Sequence, residues 1–306
     1  MNAQDARDLA LPAELGGDAP ELAACQRLGC GVHAASIAQH STLRNKLCCE
    51  AADDAGADIV RSTPINNDRA LRIAAVLILS AALVPADPCT EFDALYAQIR
   101  DRTIARDAAH RRAAALIPSI RDEFYARGGK DSPPESWRFP LEGYGAEAIG
   151  GKNGNGYAPA GYDWFDGYRS RGHPGHDLFI HDRNRDELDD LTGRPVTVVS
   201  MTAGIVVATA PEWKADSVLR GGRYIYIYSP QQNGLFYYAH NREIAVKPGD
   251  VVAPGRRIAT VGRSGRNAAQ PRSPTHLHVM FLAIEEGYPR PRDLYRDLIR
   301  VGRLRH

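Results

Sequence analysis

Six of the ten histidines lie between residues 173 and 278. Five of these six, all except His181, form three short groups. The groups are His173 and His176 with Asp177, His240 alone, and His276-Leu277-His278. Imidazole and carboxylate groups suit zinc. Two imidazoles and one carboxylate leave a fourth position open for water, which is the pattern of a catalytic zinc site. These residue types therefore predict a metal site that could activate water.

The last histidine pair must be positioned by a strand. Side chains alternate across a strand, so His276 and His278 are expected to face the same side. Leu277, Val279 and Phe281 are then expected to face the core. Two histidines on one face of an apolar strand are costly to bury without partners, which favours a metal. The alternative is that they are satisfied neighbours in a barrel.

The first histidine group has the form H-x-G-x-D. If this segment is extended, His173 and Asp177 share a face, and Gly175 between them leaves room for a bulky neighbour. His176 is a second candidate for the ligand role of His173. The alternative for both histidines is a solvated loop.

Short β-branched or aromatic segments bounded by turn residues continue through the second half of the chain. No helical pattern of ten residues separates them, so a Rossmann-type sheet is disfavoured and an antiparallel all-β domain is predicted. The segments are Val196–Val199, Gly204–Val207, Tyr224–Tyr228, Leu235–Ala239, Arg257–Val261 and Val279–Ile284.

A helical segment is predicted before this domain. Thr90 can cap a helix, and the apolar face repeats at helical spacing through Phe92, Leu95, Tyr96 and Ile99. Pro118 is expected to interrupt the helical pattern, and Gly128-Gly129 to end it. This helical lead could pack on the β domain or act as an arm for a partner. The glycine-rich stretch 143–175 is predicted to be a long surface loop that could form one wall of a cleft.

Several motifs occur in one order along the chain. The set resembles the lysostaphin and LytM-type zinc metallopeptidases over roughly residues 137–285. The motifs are His173-x-Gly175-x-Asp177, Gly193-x-Pro195-Val196, Gly204-Ile205-Val206, Tyr238-x-His240, Val246-Lys247-Pro248-Gly249-Asp250, Val261-Gly262-Arg263-Ser264-Gly265 and His276-Leu277-His278.

The resemblance implies a fold, a site and a substrate. The fold is mainly β, a small antiparallel sheet or sandwich of the duplicated hybrid motif type, here with an N-terminal helical segment. His173, Asp177 and His278 correspond to the ligands of one zinc ion per chain. His240 and His276 correspond to residues beside the water on the metal that assist catalysis. Members of the family usually hydrolyse peptide cross-links of bacterial peptidoglycan, so peptidoglycan peptide stems are the expected partner.

Three other functions compete with a zinc endopeptidase. A catalytically silent LytM-like activator of cell-wall amidases is disfavoured because all five expected residues are present. A peptidase acting on a non-peptidoglycan substrate stays open. A biotinyl or lipoyl carrier is disfavoured because Lys247 precedes Pro248-Gly249, which is typical of a turn rather than of a carrier tip. We also consider that the helical lead or the glycine-rich loop partly covers the groove.

Composition and the N-terminal third bear on location. The formal net charge of +1 argues against a nucleic-acid-binding protein, and the negative mean hydropathy argues against a polytopic membrane protein. Ile73–Val84 is apolar except for Ser80, and basic residues precede it. Small or medium residues stand before a possible cleavage site after Ala86. An apolar segment with these flanks is typical of a signal peptide. A buried core helix is the alternative. The chain is therefore expected to be exported to the periplasm or cell envelope, with no integral membrane domain after processing.

The predicted organisation has five parts. Residues 1–59 are an upstream segment, expected to be disordered or not translated, where a zinc cluster of Cys25, Cys30, His33 and His40 fits no standard spacing. Residues 60–86 are signal-like, 87–130 are the helical lead, 131–285 are the metallopeptidase domain and 286–306 are a basic tail with one short helix. Cys89 as a lipid-bearing residue is a minor alternative. Asp182–Leu191 is predicted to be a solvated insertion.

Metal ligation needs neutral histidine. Zinc affinity and activity are therefore expected to fall below about pH 6, near the pKa of a free histidine.

Overall fold

The computed structural model describes residues 86–304. Within this range the chain is dominated by antiparallel strands with a few helices, so the predicted mainly β fold with an N-terminal helical segment is confirmed. The strands are β1 (Gly175–Phe179), β2 (Thr197–Val199), β3 (Gly204–Ala210), β4 (Arg223–Ser229), β5 (Gly234–Ile244), β6 (Val251–Val252), β7 (Arg257–Val261), β8 (His276–Glu285) and β9 (Tyr288–Arg292). The α-helices are α1 (Pro88–Asp101), α2 (Arg106–Ala126) and α3 (Tyr295–Gly302).

Strand β8 is the element that gathers the chemistry. The main sheet has the order β1-β8-β5-β4-β3-β6, while β9 also pairs with β8, and β7 pairs with β2 and β5. Because β8 lies between β1 and β5, it brings the histidines of three distant segments to one place. Leu277 and Val279 are fully buried, as the alternation predicts, and Phe281 is partly buried.

The sheet is buried on both faces. One face packs against α1 and α2, with Phe92, Phe124, Tyr226 and Leu282 in a shared hydrophobic core. The other face forms a second core that includes Leu178, Tyr238 and the C-terminal helix residue Leu298, among others. The helical lead is therefore part of the folded body and not a free arm.

The helices differ in detail from the sequence expectation. Helix α1 is capped by Asp87 rather than Thr90, since the Asp87 Oδ1 accepts a hydrogen bond from the backbone N–H of Cys89 at 3.1 Å. Helix α2 runs through Pro118, so the expected interruption there is wrong. Pro118 is exposed, so the carbonyl that it leaves without a donor can face water, and buried Ile120 and Phe124 hold the next turns against the sheet.

The break in the helical lead lies earlier. Arg102 adopts a left-handed conformation, with a φ of 59°, and ends α1. Cys89 is fully buried in α1, and burial raises the pKa of its thiol to about 12. The structure therefore does not present Cys89 as an accessible attachment point. No helix in residues 86–304 is long and apolar enough to cross a membrane.

The charged segment 182–191 is not wholly solvated. Asp182 and Asp189 are buried, which corrects the expectation of a solvated insertion. Asp182 Oδ2 accepts hydrogen bonds from the hydroxyl of Thr275 at 2.6 Å and from the backbone N–H of Glu187 at 2.9 Å. The insertion is thereby tied to the residue that precedes β8.

The C-terminal part contains a strand that the sequence reading missed. Arg290 and Arg292 lie on β9, which forms a hairpin with β8, and the helix begins only at Tyr295. Both arginines reach the carboxylate of Glu285. Pairing with β8 explains why this basic stretch is extended.

Candidate metal centre

The register of β1 and β8 places the first acid against the last histidine. Asp177 lies directly opposite His278, and Phe179 lies opposite His276. Directly paired residues of antiparallel strands point to the same face of a sheet. The Oδ1 atom of Asp177 lies 3.0 Å from Nδ1 of His278.

His173 joins this pair from the segment just before β1. Its backbone exchanges hydrogen bonds with Ala158, and its Nδ1 lies 2.7 Å from the carbonyl oxygen of Gly156. Because a carbonyl only accepts, Nδ1 donates to it, so Nε2 is the nitrogen that faces Asp177 and that can bind a metal once it is deprotonated. That Nε2 lies 3.1 Å from Oδ1 of Asp177.

These three side chains fit a zinc ion. Their candidate ligand atoms all lie within 4.8 Å of one another. A tetrahedral zinc with bonds of about 2.0–2.1 Å separates its ligand atoms by about 3.4 Å, so only small movements are needed. The carbonyl that orients His173 is the usual outer partner of a metal-binding histidine.

Gly175 gives His278 its space. Gly175 lies opposite Met280 on the face that bears the site. A Cβ atom at residue 175 would lie 2.9 Å from Nε2 of His278, which is closer than real contacts allow. The same Cβ atom would lie closer still to the backbone carbonyl oxygen of Val279, so the paired strand and the imidazole ring together leave no room for a side chain at residue 175.

His176 does not join the cluster. Its side chain is fully buried on the opposite face of β1, and its Nε2 lies 2.8 Å from Oδ1 of Asp293. Asp293 also accepts a hydrogen bond from the backbone N–H of Tyr295 at the start of α3. The structure thus places His173, rather than His176, beside Asp177 and His278. His181 is also apart, with a largely exposed side chain near Tyr144.

His240 reaches the site through an irregularity in β5. Its backbone is left-handed, with a φ of 66°, where β5 slips register against β4. Such bulges re-aim a side chain within a sheet. The Nδ1 of His240 lies 2.8 Å from the carbonyl oxygen of Ser264, so Nε2 is the free nitrogen.

Ser264 and Gly265 support His240. The hydroxyl of Ser264 donates to the carbonyl of Asn241 at 2.7 Å and accepts from the backbone N–H of Arg223 at 2.8 Å. Gly265 has a φ of 110°, and a Cβ atom there would lie 2.9 Å from Nδ1 of His240. Sequence reasoning noted this motif without assigning it a role, because the contact depends on the bulge.

His276 is oriented in the same way as His240. Its Nδ1 lies 2.8 Å from the carbonyl oxygen of Pro274, which leaves Nε2 free. The rings of His240 and His276 have centroids 4.8 Å apart. The five residues singled out from the sequence therefore meet at one place, the three candidate ligands beside two histidines with free Nε2 atoms.

The charges in the cluster are strongly coupled. Burial acts to raise the pKa of Asp177, but hydrogen bonds from His173 and His278 outweigh it and hold that pKa well below its usual range. The hydrogen bond to Asp177 raises the pKa of His173. Burial lowers the pKa of His278, and it lowers the pKa of His240 to about 3. Without a metal, His173 thus holds a proton more firmly than His240 or His278 does.

A groove extends from the cluster toward the helical lead. Its far end is lined by Tyr96 and Arg100 of α1, and one side is lined by the end of the glycine-rich loop, including Trp164 and Arg171. The loop therefore forms a wall of the cleft, as predicted. Tyr96 hydrogen bonds with Tyr226 at 3.2 Å and stacks on Trp164 at 5.1 Å, which fixes α1 to both sides of the groove.

The sequence model for peptidase family M23 matches residues 189–288. The matched segment contains His240, His276 and His278, and it begins after His173 and Asp177. In the structure, Asp177 on β1 and His173 just before β1 lie beside His278 of the matched segment. No curated protein matches the chain.

Solved structures give distant likenesses. A zinc containing peptidase from Vibrio cholerae is 22% identical, with 50% of this chain and 38% of that chain covered and a TM-score of 0.31. A putative glycyl-glycine endopeptidase lytM from Ruminococcus gnavus is 28% identical, with 42% and 47% covered and a TM-score of 0.31. The catalytic domain of the antimicrobial peptidase lysostaphin from Staphylococcus simulans is 19% identical, with 57% and 95% covered and a TM-score of 0.30. The chain spans less than half of the first two, and TM-scores this low carry no argument about function.

Proposed function

We propose that this chain, whose residues 189–288 match the sequence model for peptidase family M23, is a zinc-dependent endopeptidase of that family that cuts peptide cross-links of bacterial peptidoglycan. One observation carries the proposal, namely that His173, Asp177 and His278 converge beside the free Nε2 atoms of His240 and His276. The peptidoglycan substrate is taken from the resemblance of the motifs to LytM-type enzymes.

In the proposed site, three residues bind the metal ion and two histidines assist the reaction. His173, Asp177 and His278 would hold the ion. When bound, zinc supplies Lewis-acid chemistry, lowering the pKa of a water ligand from 15.7 to about 7 and polarising a carbonyl. Because the carbonyl of Ser264 holds the Nδ1 hydrogen of His240, Nε2 is the ring nitrogen that could accept a proton. We assign to His276 the stabilisation of charge that develops on the scissile carbonyl oxygen.

The backbone enforces both roles. The carbonyls of Ser264 and Pro274 hold the Nδ1 hydrogens of His240 and His276, and so fix the tautomer in which Nε2 faces the groove. His276 is buried and His240 is half-buried, which limits the motion of both rings. No glutamate is needed as a base in this arrangement.

The test is digestion of purified peptidoglycan sacculi with the zinc-loaded full chain, read by mass spectrometry of the released muropeptides. Cross-linked dimers should be converted to monomers by the wild type and not by His278→Ala. Zinc content is measured on both proteins. Stoichiometric zinc with no cleavage would reject peptidoglycan as the substrate, and absence of zinc from the wild type would reject the metal site in favour of a silent activator.

We further propose that the protein is exported after a cut following Ala86. The signal-like residues 60–85 lie outside the described part of the chain. A cut there would leave Asp87, with its capping hydrogen bond and its ion pair to Arg127, as the new N-terminus of α1. N-terminal sequencing of protein recovered from the cell envelope tests this, and a start other than Asp87 would contradict it.

A further inference from the structure

The groove wall opposite α1 carries arginines whose charge is not balanced. Apart from the metal ligand Asp177, the charged groove residues are Arg100, Asp163, Arg171 and Arg220. Two of the four are neutralised locally. Arg100 pairs with Asp101 at 2.6 Å, and Asp163 pairs with Arg106 of α2. Arg171 and Arg220 are left without a counter-charge.

Arg220 is held in place without being neutralised. Its guanidinium donates to the carbonyl oxygens of Ser170 at 2.9 Å and Gly172 at 3.4 Å. Carbonyl oxygens orient a guanidinium but leave its full positive charge. Because Gly172 directly precedes His173, this charge is fixed one residue away from a candidate metal ligand.

Arg171 stands beside it and is unpaired. Its backbone N–H donates to the carbonyl of Gly161 at 3.1 Å, which fixes the position of its Cα atom. Within residues 86–304 its side chain makes no hydrogen bond or ion pair, and the residue is exposed. A planar guanidinium with five free donors is suited to bidentate binding of a carboxylate.

The remainder of the groove is suited to the rest of a peptide. Tyr237 and Met280, which are paired across β5 and β8, line it together with Tyr96 of α1 and make it aromatic and apolar there. We propose that Arg171 and Arg220 bind a free carboxylate of the peptide close to the scissile bond, so that the enzyme selects peptides that carry an acid there over those that carry the neutral amide. This inference rests on the proposed peptidase function and names its substrate class.

The cleavage test compares untreated sacculi with sacculi whose carboxylates have been converted to amides with carbodiimide and ammonia. The zinc-loaded full chain is expected to cleave untreated sacculi about fivefold faster, the size of a good exposed ion pair. Arg171→Glu should bring the two rates together, and Arg171→Lys should keep part of the difference. Equal rates of the wild type on both substrates would overturn the proposal.

Arg111→Glu is the matched control. Arg111 is exposed on α2, has no side-chain hydrogen bond or ion pair within residues 86–304, and lies outside the groove. It changes the net charge by the same amount as Arg171→Glu. A loss of preference in Arg111→Glu equal to that in Arg171→Glu would reduce the effect to bulk charge and reject the site.

A binding test separates this inference from the peptidase proposal. Zinc-loaded His276→Ala, which keeps the three ligands, is pelleted with untreated or amidated sacculi, alone or combined with Arg171→Glu. Retention on untreated sacculi that amidation and Arg171→Glu both weaken would support the carboxylate site even if the wild type cleaves nothing. Cleavage by the wild type together with equal pelleting on both sacculi would overturn the carboxylate site alone.

Discussion

The two ends of the groove are built in different ways. At the metal end, the candidate ligands and the two assisting histidines are fixed by strand pairing and by backbone carbonyls of Gly156, Ser264 and Pro274. At the far end, Tyr96 and Arg100 come from α1, and along one side Arg171 comes from the loop before β1. Only the metal end lies largely within the segment that matches the family model.

We therefore expect the metal end to carry out the reaction and the rest of the groove to select the substrate. Apart from His173, which lies just before β1, the residues proposed to hold an ion and assist catalysis sit on strands, where neighbouring strands fix their geometry. Of the residues proposed to meet the rest of a substrate, Tyr96 sits on a helix and Arg171 on a loop before the matched segment, while Arg220 lies within it, in the stretch between β3 and β4. Changes at the metal end should therefore alter metal content and rate, whereas changes at the far end should alter stability or substrate preference.

The largest effect is expected from Asp177→Ala. Removing this carboxylate leaves two histidines, so zinc binding should be lost and activity should fall at least about 10³-fold, since the metal supplies several kcal/mol of transition-state stabilisation. Zinc content by mass spectrometry and sacculus digestion give the readout. His181→Ala, a nearby and exposed histidine, should keep both. Zinc retained by Asp177→Ala would break the assignment.

His240→Ala should separate catalysis from metal binding. The ring contributes proton transfer but no ligand atom, so zinc should remain stoichiometric while activity falls about 100-fold or more. Zinc content and initial rates are measured on the same preparation. Loss of the metal in this variant would show that His240 is a ligand, and full activity would show that it is a bystander.

Phe124→Ala should act on stability alone. Phe124 is fully buried in the core that α2 shares with the sheet, so its truncation should cost about 3–5 kcal/mol of unfolding free energy. Denaturant unfolding measures the loss, and zinc content of the folded fraction should not change. A cost below about 1 kcal/mol would contradict the packing of the helical lead on the sheet.

Gly175→Ala should weaken the metal end without removing a ligand. The added methyl group displaces the ring of His278, and the zinc affinity is expected to drop about 10–100-fold, as when the support of a ligand is lost. Competition with a chelator of known affinity measures the change. An unchanged affinity would show that His278 can shift without cost.

The smallest expected effect is a gradual decrease of the zinc affinity as the pH falls. Since the hydrogen bond to Asp177 raises the pKa of His173, zinc must displace a proton from His173 at pH values that begin above 6.5. The affinity should therefore fall about tenfold per pH unit as pH decreases, starting higher than the value near 6 expected from a free histidine. His240 and His278 do not contribute, because burial lowers their pKa values.

In the metal-free protein, the stability contributed by the His173–Asp177 pair should decrease as the pH rises. A raised pKa of His173 contributes stability that is complete below pH 6.5 and is lost as the pH rises through the raised value. Unfolding of the chelated protein between pH 5.5 and 8.5, compared with His173→Gln, reports this contribution. An identical pH dependence of the two proteins would exclude the His173–Asp177 pair as its source.

The sequence was sufficient for what depends on alternation and local order. Strand alternation alone placed His276 and His278 on one face, and glycine spacing anticipated the room beside His278. The choice of His173 over His176 came from the family pattern, because both fit an extended segment. The structure supplies the physical reason, since His176 faces the second core and Asp293.

What the sequence could not give depends on irregular backbone and on distant contacts. The left-handed conformation of His240 has no local signal, and so the supporting role of Ser264 was invisible. The continuous helix through Pro118 depends on the packing of Ile120 and Phe124 against a sheet that follows much later in the chain. The strand at Arg290 and Arg292 likewise exists because β8 offers it an edge.

The pairing of Asp177 with His278 joins residues 101 positions apart. A growing chain on the ribosome that has not yet delivered β8 lacks the last ligand, so it has no completed metal site. Zinc that binds only the finished topology stabilises it by mass action and leaves partly folded chains unaffected. The same long-range pairing that makes such a sheet slow to form would thus delay the proposed hydrolysis until folding is complete.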